Sequence, residues 1–232
     1  MKFKPSDWYQ ESNHLKKVDS MEFTNTEGLK TVEKIIRTIQ QNKDYLSRID
    51  GEIGDGDHGI NMNKGFTMAK EEIVKRELDM SGAFILLGKT LLMRIGGSMG
   101  PLYGTIFQEM GKAAKDVETI DKNTVGAMLA GALAGVRRIS PAQPGDKTLM
   151  DVLCPAVEAY EAEIQSGSEL DAALLKMKAA AEAGKEATKD MVAKLGRSSR
   201  LGERSRGVLD AGAASCNLIL QSFADSIIEL VK

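Results

Sequence analysis

Apolar residues recur along this chain at intervals of three and four, and almost nowhere at intervals of two. Val32, Ile35, Ile36 and Ile39 make one such stripe, and Leu218, Ile219, Phe223, Ile227, Ile228 and Val231 make another. That spacing belongs to an amphipathic helix with one face turned to a core. Ala, Leu, Met, Glu and Lys dominate, only five prolines interrupt, and no convincing alternating strand stands out. The pattern predicts helices over roughly 27–48, 59–78, 81–95, 99–116, 121–139, 146–166, 168–194 and 206–231. The fifth of these carries Gly126, Ala127, Ala130, Gly131, Ala134 and Gly135, small residues that permit close helix approach. Residues 1–26 are polar and weakly patterned and read as an N-terminal extension to one helical domain over 27–232.

Between the helical segments lie four glycine-rich polar runs, at 50–61, 96–105, 140–148 and 196–212. They follow the first, third, fifth and seventh segments. In an antiparallel bundle with short connections, alternate loops share an end. The expected fold is therefore an all-α, single-domain antiparallel eight-helix bundle or barrel with a site assembled at one rim.

The first run, Asp50-Gly-Glu-Ile-Gly-Asp55-Gly-Asp57-His58-Gly59, holds three aspartates and four glycines. Clustered carboxylates repel unless a cation offsets their field. Hard oxygen ligands suit Mg²⁺ or Ca²⁺, and Mg²⁺ keeps positions open for phosphate oxygens. The ordinary alternative is a turn in which Asp57 caps the next helix. An EF-hand is excluded because, counting from Asp55, the fifth and twelfth positions are Gly59 and Phe66. Gly54-x-Gly56-x-x-Gly59 formally fits a dinucleotide fingerprint, but helical spacing precedes it where that motif needs a strand.

The second run, Gly96 to Thr105, has no lysine and is not a P-loop, though small residues opening a helix can present amides to phosphate. In the third, Pro144-Gly-Asp-Lys-Thr148, Asp146 suits a helix start. Lys147 opposes the helix dipole there, a weak sign of a nearby anion. The fourth, Gly196-Arg-Ser-Ser-Arg-Leu-Gly-Glu-Arg-Ser-Arg-Gly207, puts four arginines in one loop, and guanidinium forks pair bidentately with phosphate. Acidic and basic loops on one rim are two halves of a metal-nucleotide site.

Composition narrows the alternatives. A formal net charge of −2 argues against nucleic acid or an acidic membrane surface as partner. Cys154 and Cys216 stand apart with no metal-ligand spacing and read as core residues. No signal core or membrane-length run appears, so the cytoplasm is the expected location.

Taken in order, the four runs resemble the nucleotide-binding L subunit of the dihydroxyacetone kinase family over about residues 27–232. The resemblance implies a barrel of eight antiparallel helices holding ADP or ATP at one rim with two Mg²⁺ ions. It places metal ligands at Asp50, Asp55 and Asp57. Nucleotide contacts carry over to His58, Gly59, Ile60, Asn61, Ser98, Met99, Ser140, Leu149, Arg197, Asp210, Ala211 and Gly212, with Arg197 steadying the transferring group. The ketose is expected on a separate K subunit, bound covalently to a histidine. This chain has only His14 and His58, and His58 belongs to the metal loop.

Several positions depart from the family pattern. Arg200 stands where an aromatic residue is common, Val208–Gly212 replaces a His-x-Asp-Pro-Gly-like run, and Met99 replaces a small residue. These differences leave open a paralogue acting on another short ketose, such as a tetrulose. The donor is left open between ATP and a phosphotransferase-system phosphocarrier protein, and a homo-oligomer is also left open. A regulatory module holding ADP to control a transcription factor is the second reading, and a Ca²⁺-binding helical scaffold the third.

Overall fold

The structure, a computed structural model, describes residues 21–232. Its helices are α1 (Leu29–Gln41), α2 (Lys43–Ile53), α3 (His58–Ile73), α4 (Met80–Arg94), α5 (Met99–Ala113), α6 (Lys122–Ile139), α7 (Met150–Gln165), α8 (Leu170–Ala187) and α9 (Ala211–Leu230). From α3 onward each helix packs on the next, α9 returns to α1, and α1 packs on α3. Eight helices thus close a ring, the expected all-α barrel, and α2 lies outside the count against α3 and α9.

The segment expected as one helix over 27–48 is two. Asn42 leaves the helical region at φ −102° and ψ 13°, and its side chain donates to Thr38 O at 2.8 Å. Apolar positions Leu46 and Ile49 continue the spacing of α1, so periodicity alone could not reveal the change of direction. The stripe of α1 is buried as its pattern requires, and so are Ile219, Phe223 and Ile227 of α9.

Four phenylalanines centre the core. Phe107 meets Phe66 edge-on at 5.7 Å between ring centroids and stacks on Phe84 at 5.8 Å, and Phe84 tilts against Phe223 at 6.4 Å. Such pairs add about 0.5–1.5 kcal/mol each beyond area burial. Where α4 crosses α5, a Cβ on Gly88 would stand 2.6 Å from Gly104 O, so only glycine admits that approach.

A two-residue strand, Phe23–Thr24, pairs antiparallel with Thr119–Ile120 at the end opposite the glycine-rich runs. Just beyond it, buried Asn25 donates to Ala114 O and Val117 O, each at 2.9 Å, and accepts from Ser81 N at 3.0 Å. Residues 21–26, expected within the extension, are therefore anchored to the barrel. Residues 1–20 of that extension lie outside the described residues.

Candidate functional site

The last turn of α2 delivers Asp50, and the loop 54–57 delivers Asp55 and Asp57 before α3 begins. Gly56 makes the turn possible at φ 75°. One carboxylate oxygen from each of the three aspartates falls within 4.8 Å of the other two. Asp57 precedes α3 but makes no side-chain capping bond. Asp50 instead accepts from the His58 N–H at 3.3 Å. Asp55 and Asp57 are therefore not occupied with capping, Asp50 makes only that one long bond to the start of α3, and the three carboxylates face a common point.

Opposite stands the basic loop, which the sequence leaves unpatterned and which forms a short 3₁₀ segment at Arg197–Ser205, kinked at Gly202. Gly196 reverses the chain at φ 72°. Arg197 Nη1 contacts the Asp55 carboxylate and lies 3.9 Å from Asp57 Oδ2. Of the four arginines only Arg197 lines the cavity. Arg206 pairs with Glu203 at 3.0 Å and donates to Asp190 O, outside the site.

Between these halves lies a cavity of about 610 Å³, within the range of small-molecule sites. All four glycine-rich runs contribute to it. Asp50, Asp55, Asp57, His58, Asn61, Ser98, Met99, Ser140, Leu149, Arg197, Asp210, Ala211 and Gly212 line it. Met99, Leu102, Val136, Ala142 and Leu149 supply apolar lining, and Asp50, Asp55, Asp57, Lys147, Arg197 and Asp210 supply the charged groups.

Gly59 and Ile60, expected as nucleotide contacts, do not line it. A Cβ on buried Gly59 would stand 2.0 Å from Lys43 O, so Gly59 serves the approach of α3 to α2. Ile60 is 53% exposed on the outer face of α3. Helical geometry explains both, because consecutive residues turn about 100° from one another and cannot all face one cavity.

His58 Nε2 lies 2.8 Å from Ser215 Oγ, which is 2.6 Å from the Tyr103 hydroxyl. Tyr103 also donates to Gly212 O at 2.9 Å. Burial pulls the His58 pKa down to about 4 against the raising influence of Asp50, so the imidazole is neutral at pH 7. Burial likewise holds the Tyr103 phenol well above its ordinary value. The network ties α3, α5 and α9 together under the cavity. Tyr103 stands within the second glycine-rich run without a role assigned to it, whereas Ser215 is spaced as an ordinary core residue and no sequence signal marked it.

Asp210 caps α9, accepting from Ala213 N at 2.7 Å. Burial pushes its carboxyl up to about 6, while the Ala213 N–H and Lys147 pull it down and Asp151 and Asp50 add to the rise.

The third run differs most from expectation. Helix α7 starts at Met150, not near 146, and Asp146 bonds Gln143 N at 2.9 Å and Lys194 at 3.2 Å. Buried Asp151 braces the turn by accepting from Gly145 N at 2.5 Å and Thr148 N at 2.7 Å. Thr148-x-x-Asp151 is a helix-start signal that could have placed this boundary. Lys147 borders the cavity and feels the Asp210 and Asp190 carboxylates, but its ammonium is turned into the protein. It is 1% exposed, and its ammonium donates to protein carbonyls alone among its hydrogen-bond partners.

The DAK2 domain model matches residues 52–225. The chain is 40% identical over 185 residues to the ADP-binding subunit DhaL of PEP-dependent dihydroxyacetone kinase 1 from Listeria innocua, covering 79% of this chain and 87% of that one. It is 38% identical over 183 residues to the ADP-binding subunit DhaL of the Escherichia coli PEP-dependent dihydroxyacetone kinase, covering 78% and 87%. The D-erythrulose kinase of Mycolicibacterium smegmatis is 34% identical over 191 residues, 80% of this chain but 32% of that longer protein. Among solved structures, the C. freundii dihydroxyacetone kinase in complex with AMP-PNP and Mg²⁺ superposes with a TM-score of 0.62 at 23% identity. That match covers 85% of this chain and 33% of the solved chain, and it establishes the likeness of fold.

Proposed function

This chain belongs to the DAK2 domain family, and on that premise we propose that it is the Mg-nucleotide-binding subunit of a kinase for dihydroxyacetone or a related short ketose. The observation that carries this reading is the meeting of three aspartates and Arg197 across one rim cavity. The donor set fits a hard divalent cation, because all three ligands are carboxylates and a guanidinium already offers positive charge to two of them.

Asp50, Asp55 and Asp57 would hold the metal, two Mg²⁺ ions by the family resemblance. When bound, the metal supplies charge neutralisation to the phosphate oxygens. The apolar lining would orient the base, and Ser98 and Ser140 offer hydroxyls to the same cavity. Arg197 would stabilise charge on a transferring phosphoryl group, a role electrostatic in kind, and its position beside Asp55 and Asp57 supports this. The neutral His58 imidazole fixes the start of α3 beside Asp50 and needs no proton exchange to do so.

The family resemblance puts the ketose on a partner K subunit, and among the described residues the one histidine, His58, is committed to Ser215. The likeness to relatives named PEP-dependent favours a retained ADP rephosphorylated in the cytoplasm by a phosphotransferase-system phosphocarrier protein. The relatives are named as kinases, and no observation favours the regulatory reading.

Calorimetry with ADP, with and without Mg²⁺, tests the site. Mg²⁺-dependent binding that collapses in Asp55→Asn is expected, and unchanged binding in that variant would return the loop to a plain turn. Phosphoryl transfer to dihydroxyacetone and to erythrulose, with a K subunit supplied, then tests the activity.

A further inference from the structure

We propose that Lys147 is the positioning residue of the basic loop, gathering both of its stems on one ammonium and so setting where Arg197 stands over the aspartates. The proposal rests on the Mg-nucleotide reading of this cavity.

The geometry is specific. Lys147 Nζ donates to Thr188 O at 2.8 Å and Met191 O at 3.3 Å on the incoming stem. On the outgoing stem it donates to Ser205 O and Val208 O, each at 2.6 Å. An ammonium has three protons, so four acceptors leave none for a ligand, and Met191 takes the longest share. Thr188 and Val208 are twenty residues apart in the chain, with Arg197 between them. Closing a loop of that length at one point removes much of its freedom.

Two further observations point the same way. Lys147 sits in the left-handed region at φ 61°, a conformation non-glycine residues hold only when surroundings enforce it. Other bonds across the stems are few: Gly207 N to Lys189 O at 2.7 Å, Ala193 N to Ser205 Oγ at 2.9 Å, Asp210 N to Thr188 Oγ1 at 3.1 Å, and the exposed Arg206 guanidinium to Asp190 O. Beyond the stems, Leu195 and Leu201 are only half-buried, so little apolar contact holds the 197–205 segment in place. Arg206 crosses the stems from the exposed side with one bond, whereas the buried Lys147 ammonium bonds two carbonyls on each stem, and these four dipoles compensate its burial.

The experiment compares wild type with Lys147→Met, which keeps the stem and removes the charge. In the ligand-free protein, trypsin should cut after Arg200, Arg204 or Arg206 faster in the variant. Affinity for Mg-ADP should fall about tenfold or more, equivalent to one charge-assisted hydrogen bond or more. Affinity for Mn²⁺ alone should stay the same or rise, because a released Arg197 no longer competes for Asp55. General destabilisation would weaken both ligands together. In Lys147→Ala, added methylammonium should restore part of the Mg-ADP affinity and slow trypsin.

Unchanged ligand-free cleavage with weakened nucleotide binding would make Lys147 a direct phosphate ligand and overturn the proposal. Parallel loss of Mn²⁺ and Mg-ADP binding would overturn it also. If both Lys147 variants fail to fold, Ser205→Ala decides, since it loosens the same closure by removing the bonds to Ala193 N and Gly202 O. Wild-type cleavage and affinity in that variant would count against the proposal. A wild-type protein that binds no Mg-ADP refutes the site reading instead, and leaves the cleavage and Mn²⁺ results to judge Lys147 separately.

Discussion

Asp210→Asn should stabilise the ligand-free protein at neutral pH and leave it unchanged in acid. Asp210 caps α9 from a position buried enough to push its carboxyl up to about 6, whereas an unfolded aspartate titrates near 3.9. The folded state therefore holds this proton more tightly than the unfolded state. The corresponding stability is fully present below about pH 4 and is lost as pH rises through about 6. Across that window the shift of about two units corresponds to at most roughly 3 kcal/mol, at 1.36 kcal/mol per unit. Asparagine caps helices as well as aspartate does, so the bond from Ala213 N survives. What is lost is attraction to Lys147; what is relieved is burial of charge beside Asp151 and Asp50. A net gain of about 1–3 kcal/mol at pH 7.5 follows, or about 2–4 °C in Tm per kcal/mol for a chain of this size. Urea unfolding of both proteins from pH 4.5 to 8 measures it. A variant less stable than wild type at pH 7.5, or a gain independent of pH, would show that attraction to Lys147 outweighs burial and would refute the reasoning.

Arg197→Ala should weaken Mg-ADP binding by about 1.5–3 kcal/mol, the range for a hydrogen bond to a charged group, without weakening Mn²⁺ binding in the absence of nucleotide. Titration calorimetry separates the two. Gly59→Ala should cost about 1–3 kcal/mol or more of folding stability, because its Cβ would meet Lys43 O at 2.0 Å and Ser47 N at 2.7 Å, both main chain. Thermal melts of the ligand-free protein read that loss directly. ADP should raise Tm progressively with concentration when Mg²⁺ is present and not in excess chelator, as mass action on a metal-bridged ligand requires. Phe107→Ala should cost about 3–5 kcal/mol, since it empties the centre of the aromatic cluster, and denaturant midpoints would measure it.

Several of these expectations come from residues the sequence already marked. Helical spacing is a local property, and seven of the eight expected segments each correspond to one helix, although 59–78 and 168–194 run past the ends of α3 at Ile73 and α8 at Ala187 and 206–231 begins before α9 at Ala211. The even placement of glycine-rich runs between helices predicts that they share an end, and the cavity is lined from all four. Asp50, Asp55 and Asp57 are legible because carboxylates this dense within a glycine-rich stretch are uncommon in simple turns. Arg197 is legible only as one of four arginines in a loop.

What the chain's order could not settle is direction and distance. The break at Asn42 leaves hydrophobic spacing intact, so only the packing of α2 outside the ring separates it from α1. Gly59 and Ile60 share a motif with His58 and Asn61, yet the helical turn points one into α2 and the other to solvent. Phe23 and Asn25 look like part of a polar arm until their partners, some ninety residues away, are brought alongside. Lys147 shows the difference most sharply. In sequence it is a cation at a helix start, which suggests an anion. In the fold its acceptors come from Thr188 to Val208, at a separation no local pattern encodes. Local period and composition determine which residues are helical and which loops carry charge. Tertiary closure decides which charges meet, because a hydrogen bond depends on angstroms in space and not on intervals along the chain.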